Sequence, residues 1–139
     1  MMMGQASVID GDTIEIHDQR IRLQSVDAPE AGQYCTLADS QPWRCGQTAA
    51  LKLHDFIGNK TVTCEQQGKD RYRRIVAVCS AAGQDLGAWL VENGWALAYE
   101  RYGKAYVEHQ KRAEAAKVGI WQSRFRKPWE WRKQKRKKS

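Results

Sequence analysis

Between Ser7 and Glu30 the chain gathers Asp10, Asp12, Asp27 and Glu30 around two stretches of alternating apolar and polar residues, with Arg22 between them. Like charges repel and carboxylates pack poorly on a sheet, so such a cluster calls for a counter-charge. Asp12 and Asp27 are hard oxygen ligands able to share one divalent cation, with main-chain carbonyls and water completing its shell. Two carboxylates are few for a tight structural calcium site, but they suit an open one that also receives phosphate oxygens. Glu30, just beyond Pro29, is expected on a loop, where a carboxylate can take a proton from water. The plain alternative for this spacing is a set of solvated turn residues.

A second group lies in "KDRYRR", where Arg71, Arg73 and Arg74 surround Tyr72 in a short turn. Guanidiniums grip phosphate through paired hydrogen bonds, and a tyrosine ring offers a stacking face. Together with Arg22 they could surround a phosphodiester; otherwise the turn is a basic loop facing water.

The elements that must position these groups follow from periodicity. "DTIEIH" and "RIRLQSV" alternate like strands and read as a hairpin turning at Asp18-Gln19, with Val8-Ile9 as an earlier strand. An irregular stretch, 31–44, leads to "GQTAALKLHDFIGN", whose Ala50, Leu53 and Ile57 have helical spacing and whose Gly58 is a stop. "KTVTCEQQ" and "RIVAVCSAAG" are strands on either side of the arginine turn. "DLGAWLVENG" is a second helix with Asp85 as N-cap, and a third runs from about Lys104 to Val118. Five strands with a helix between the third and fourth give an α+β, mainly β chain with the connectivity of a Greek-key barrel of the OB type, carrying three α-helices.

With 139 residues, 42% of them hydrophobic, the chain fits a single core-bearing domain, and no apolar run approaches the ~18 residues of a membrane span. The net charge of +7 is uneven. Residues 124–139 hold nine Lys/Arg against Glu130 alone, whereas the rest of the chain is close to neutral. Residues 1–123 are therefore expected to form the domain and 124–139 a basic, flexible tail that grips a polyanion. The rivals for that tail are a merely solvated end and an anchor to an anionic membrane surface through its lysines, arginines and tryptophans, without insertion.

Cys35, Cys45, Cys64 and Cys79 lack the spacing of a zinc site, and the three histidines are scattered. Three pairings are possible. The loop flanked by Cys35 and Cys45, and the two strands carrying Cys64 and Cys79, favour 35–45 and 64–79. Disulfides point to a periplasmic or secreted protein, and free buried thiols to a cytosolic one. "MMMGQAS" has neither the basic start nor the apolar run of a signal peptide.

"VIDGDT", "IRLQSVDAPE", "DRYRR" and "WALAY", in this order, resemble the thermonuclease (staphylococcal nuclease-like) family over roughly residues 7–121. The resemblance implies a five-stranded OB barrel with three helices and calcium-dependent hydrolysis of DNA and RNA to 3′-phosphates. It assigns calcium to Asp12, Asp27 and the main-chain carbonyl of Ala28, and proton abstraction from water to Glu30. Phosphate falls to Arg22 and Arg74, and nucleotide contact to Tyr72 and Tyr99 with Arg71 beside them. One departure stands out: the family usually has glycine where this chain has Arg73, a position where a positive φ is strained for other residues. The four cysteines and "PWEWR" resemble an exported bacterial subgroup, so the chain reads as the mature part of an exported nuclease, with a monomer as the default expectation. The alternative is a barrel that binds single-stranded nucleic acid without cutting it. The presence of Asp12, Asp27, Glu30, Arg22 and Arg74 together favours the enzyme.

Overall fold

The computed structural model describes residues 1–138, apart from the side chains of Tyr102 and Lys138. Alternation in the first third produces strands β1 (Met2–Gly4), β2 (Ser7–Asp10), β3 (Thr13–Ile16) and β4 (Gln19–Leu23), followed by the short β5 (Val26–Asp27). Ile14, Ile16, Ile21 and Leu23 put their side chains into the core, as a period of two requires. The β3–β4 hairpin turns at His17-Asp18, one residue earlier than expected. Both residues have positive φ, the mirror-image turn whose twist matches a two-residue hairpin.

Next come β6 (Cys35–Leu37), β7 (Pro42–Trp43) and α1 (Cys45–Ile57), then the long ribbon β8 (Val62–Lys69) and β9 (Ile75–Ala81). After β10 (Gln84–Asp85), Asp85 caps α2 (Leu86–Glu92) by accepting the Ala88 N–H at 3.1 Å. The chain closes with β11 (Leu97–Ala98), α3 (Val107–Ala116), β12 (Ser123–Arg124) and α4 (Pro128–Lys138). The main sheet runs β1-β8-β9-β4-β3-β2, with β10 added to β9; β4 and β9 are parallel and the other pairs antiparallel.

The mixed, mainly β architecture is therefore the one expected, with additions. Short β1 and β10 extend a five-strand arrangement to seven strands, the sheet path stays open, and there are four α-helices among the described residues rather than three. The fourth is α4, formed where a flexible tail was expected. Its register follows from a second apolar cluster, separate from the main core. This cluster is built on Cys35, Cys45, Leu97 and Ile120, and Trp43, Trp121, Phe125 and Trp129 pack against it. Burying these rings offsets the entropy of ordering the chain end. The path to α4 is fixed upstream, where Gly94 and Gly119 pass so closely that a Cβ on either would overlap the other segment's backbone.

Both disulfides join the favoured pairs: Cys35–Cys45 and Cys64–Cys79, with Cα separations of 5.6 and 4.0 Å.

Candidate active site

Asp12 lies in the tight turn between β2 and β3. That turn sits down on the core because Gly11 has no Cβ to collide with Ala28 and Ala49. Asp12 Oδ2 then accepts the Ala28 N–H at 2.8 Å, and Oδ1 accepts the Thr13 hydroxyl at 3.0 Å. Asp27 is on β5, paired with β11 through Leu97, and its side chain is 0% exposed. Tyr99 follows β11 directly, its N–H donating to the Ser25 carbonyl at 2.8 Å, so one small two-stranded sheet carries Asp27 and Tyr99 together.

Arg22, on β4, is the strut between the acids. Its guanidinium donates to the Val26 carbonyl at 2.8 Å and to Asp27 Oδ1 at 3.3 Å, and lies 3.5 Å from Asp12 Oδ2. Glu30 stands on the loop after Pro29. Gln33, buried in that loop, accepts the Glu30 N–H and donates to the Arg126 carbonyl at 2.7 Å.

The β8–β9 turn forms the opposite wall. Asp70 Oδ1 accepts the N–H groups of Tyr72 and Arg74, each at 2.9 Å, and Oδ2 accepts Arg74 Nε at 2.7 Å. Arg71 and Arg74 both lie over the Tyr72 ring, 5.0 and 5.6 Å from its centroid, and the ring itself is exposed. Arg73 holds φ +66°, so the left-handed turn persists without glycine.

These walls enclose a cleft of about 550 Å³ faced by Asp12, Arg22, Glu30, Arg71, Tyr72, Arg74 and Tyr99, with Asp27 and Ala28 buried beneath it. Of the residues picked out for metal and phosphate chemistry, Arg73 is the one the cleft does not use: it shares the arginine turn but is not among the lining residues. Three groups outside the expected site set also belong here, Asp10 among them although it lies in the acid cluster. Asp10 faces the cleft, and Asp70 fixes the arginine turn. The third is Arg132, expected as part of a solvent-facing grip. It instead reaches back from α4 to donate to both oxygens of Asp27, at 2.9 and 2.7 Å, and to Glu30 at 2.8 Å. The cause is electrostatic, because carboxylates gathered around one cleft attract the nearest mobile cation. A helical signal for it existed in Trp129, Arg132 and Arg136, spaced to share one face.

Burial raises the Asp27 carboxyl to about 6 against the pull of Arg132 and Arg22. Asp10 also rises to about 6, first through burial and then through Asp12 and Glu30. Arg132 is held protonated, chiefly by its hydrogen bonds to Asp27. Among the described residues, no group of three or more His, Cys, Asp or Glu is arranged as a metal site. The donors facing the cleft are nevertheless all oxygens, and a guanidinium already spans Asp27 and Glu30. This set fits one hard cation in an open shell.

A protein-family match over residues 20–123 carries the description staphylococcal nuclease homologue. The chain belongs to this family. It is 42% identical over 125 residues to the succinoglycan biosynthesis protein ExoI of Rhizobium meliloti, covering 88% of this chain and 65% of that protein. It is 31% identical to an uncharacterized endonuclease of Haemophilus influenzae, covering 93% of this chain and 71% of the other. It is also 31% identical to a micrococcal nuclease of Shigella flexneri, covering 91% and 77%. The staphylococcal nuclease match ends at residue 123, so α4 lies beyond it.

Proposed function

We propose that this chain is a calcium-dependent endonuclease that hydrolyses phosphodiester bonds of DNA and RNA, leaving 3′-phosphates. Membership of the staphylococcal nuclease homologue family and the relatives described as nucleases support the hydrolase. One observation supports the roles: Asp12, Glu30, Arg22 and Arg74 face a single cleft from four separate segments, and Arg22 bonds to the buried Asp27 of a fifth. In this reading Asp12, Asp27 and the Ala28 carbonyl hold the calcium ion, which when bound neutralises the acids and polarises the phosphate. Glu30 takes a proton from the water that attacks phosphorus, as the bond to the 5′ oxygen breaks. Arg22 and Arg74 bind the non-bridging oxygens as charge builds on them, and Arg71, Tyr72 and Tyr99 hold the nucleotide. The two disulfides support an oxidising site of action, periplasmic or secreted. No helix among the described residues is long and apolar enough to cross a membrane.

Hydrolysis of single-stranded DNA is the test, with calcium and then with excess chelator, for the wild type and Glu30→Gln. Cleavage that needs calcium and drops by orders of magnitude in the variant is expected. Binding without cleavage by oxidised protein would replace the enzyme with a nucleic-acid-binding barrel.

A further inference from the structure

Helix α4 makes two contacts with the site, on the acids and on Tyr99. Arg132 bonds to the two oxygens of Asp27 and to Glu30, the groups that the nuclease reading assigns to the cation and the attacking water. One turn earlier, Trp129 stacks on Tyr99 with centroids 5.0 Å apart and planes 24° apart, the position a base would take on that ring. The side chains of Arg132 and Glu30 keep 29% and 30% of their exposure in this contact, whereas Asp27 is wholly buried. Trp129 also packs against the second apolar cluster, and further anchors of the chain end lie upstream of α4. β12 pairs with β6, Trp43 Nε1 donates to Ser123 Oγ at 2.9 Å, and Gln33 holds the Arg126 carbonyl. A rotation at Lys127 would lift Trp129 from that cluster and free α4, leaving the upstream anchors in place.

We propose that α4 is an internal plug, with Arg132 standing in for the cation and Trp129 for a base, and that calcium loading expels it. The proposal rests on the nuclease reading. Since one set of oxygens cannot serve a guanidinium and a calcium ion together, the apparent calcium affinity is the intrinsic one reduced by the fraction of molecules with α4 released. A released α4 presents Arg132, Lys133, Lys135, Arg136 and Lys137 to a polyanion, so nucleic acid favours the same state as calcium. Cation and substrate uptake are then positively coupled through the helix.

The experiment is calcium titration by calorimetry on the full oxidised chain, comparing wild type, Arg132→Gln, Trp129→Ala and Lys133→Gln. Amide hydrogen exchange over 129–138 is followed with and without calcium. Arg132→Gln and Trp129→Ala are each expected to bind calcium about tenfold tighter or more. Lys133→Gln, which removes the same charge from an exposed position on the same helix, should match wild type. Calcium should also speed exchange across wild-type α4. If Arg132→Gln fails to fold, Trp129→Ala still decides, because it changes no charge. Equal calcium affinity in all four proteins, or α4 amides slowed by calcium, would overturn the plug and leave the nuclease reading intact. Failure of every protein to bind calcium would overturn both.

Discussion

Arg132 Nη2 donates to Asp27 Oδ2 at 2.7 Å, joining residues 105 positions apart in the chain. Asp27 is wholly buried, and a buried carboxylate persists only with partners. Arg22 supplies one from the sheet and Arg132 the other from the chain end. The C-terminal segment is thus part of the cleft's electrostatics.

Gln33 controls how firmly that segment is held. Its buried amide ties the Glu30 loop to the Arg126 carbonyl. Gln33→Ala leaves both backbone groups without that partner and is expected to lower the unfolding free energy by about 2 kcal/mol. Urea denaturation of the oxidised protein measures this, and faster amide exchange in α4 should accompany it. A change below about 0.5 kcal/mol would show that the amide is dispensable.

Asp70 gives the arginine turn a defined pH dependence. Burial pushes its carboxyl up, but hydrogen bonds from Arg74 and Tyr72 outweigh burial and hold it below the usual carboxylate range. A depressed folded pKa contributes stability that is present above the unfolded value, about 3.9, and lost as pH falls through the folded one. Asp70→Asn should therefore be less stable than wild type by about 1 kcal/mol at pH 7, and the gap should close below pH ~4. A gap that is constant from pH 7 to pH 3 would refute the assignment.

Arg73 carries a backbone conformation that favours glycine, at φ +66°. A left-handed residue with a side chain costs about 1–2 kcal/mol, of which glycine's looser unfolded chain returns up to about 1. Arg73→Gly is expected to stabilise the protein by about 0.5–1 kcal/mol in thermal or urea unfolding. Destabilisation would mean that the Arg73 side chain makes contacts outweighing the strain.

The exposed cations of α4 should set the salt response of nucleic-acid binding. Replacing Lys133, Lys135 and Lys137 with glutamine is expected to flatten the slope of log K against log salt by about 2 on single-stranded DNA. Fluorescence anisotropy in the Glu30→Gln background, with chelator present to suppress calcium-dependent cleavage, measures it. An unchanged slope would place the phosphate contacts elsewhere.

Much of this was legible in the sequence because the signals are local. β3 and β4 alternate strictly, Asp85 precedes its helix as a cap should, and the acids and Arg22 fall within one stretch of strand and turn. Arg71, Tyr72 and Arg74 share a single turn. Arg132 was not legible in the same way, because nothing in a run of lysines and arginines marks the one that folds back. Its position depends on tertiary terms: the second apolar cluster that receives Trp129, and the carboxylates that attract a cation. The hairpin turn falls one residue before the expected Asp18-Gln19 because His17 and Asp18 take positive φ without glycine.

The Cys64–Cys79 bond joins residues directly opposite each other on β8 and β9, the two strands that carry the arginine turn at their far end. Antiparallel ribbons can slide in steps of two residues without turning their faces over, and one such step would move the turn about 7 Å along the strand. A covalent link between facing residues forbids the step. It also confines the irregular pairing between Gln66 and Gly68 to the segment beyond the link. The distance from Cys79 back to Arg74 is then a fixed length of backbone, so the bond acts as a ruler that sets how far the guanidinium can reach over the acids.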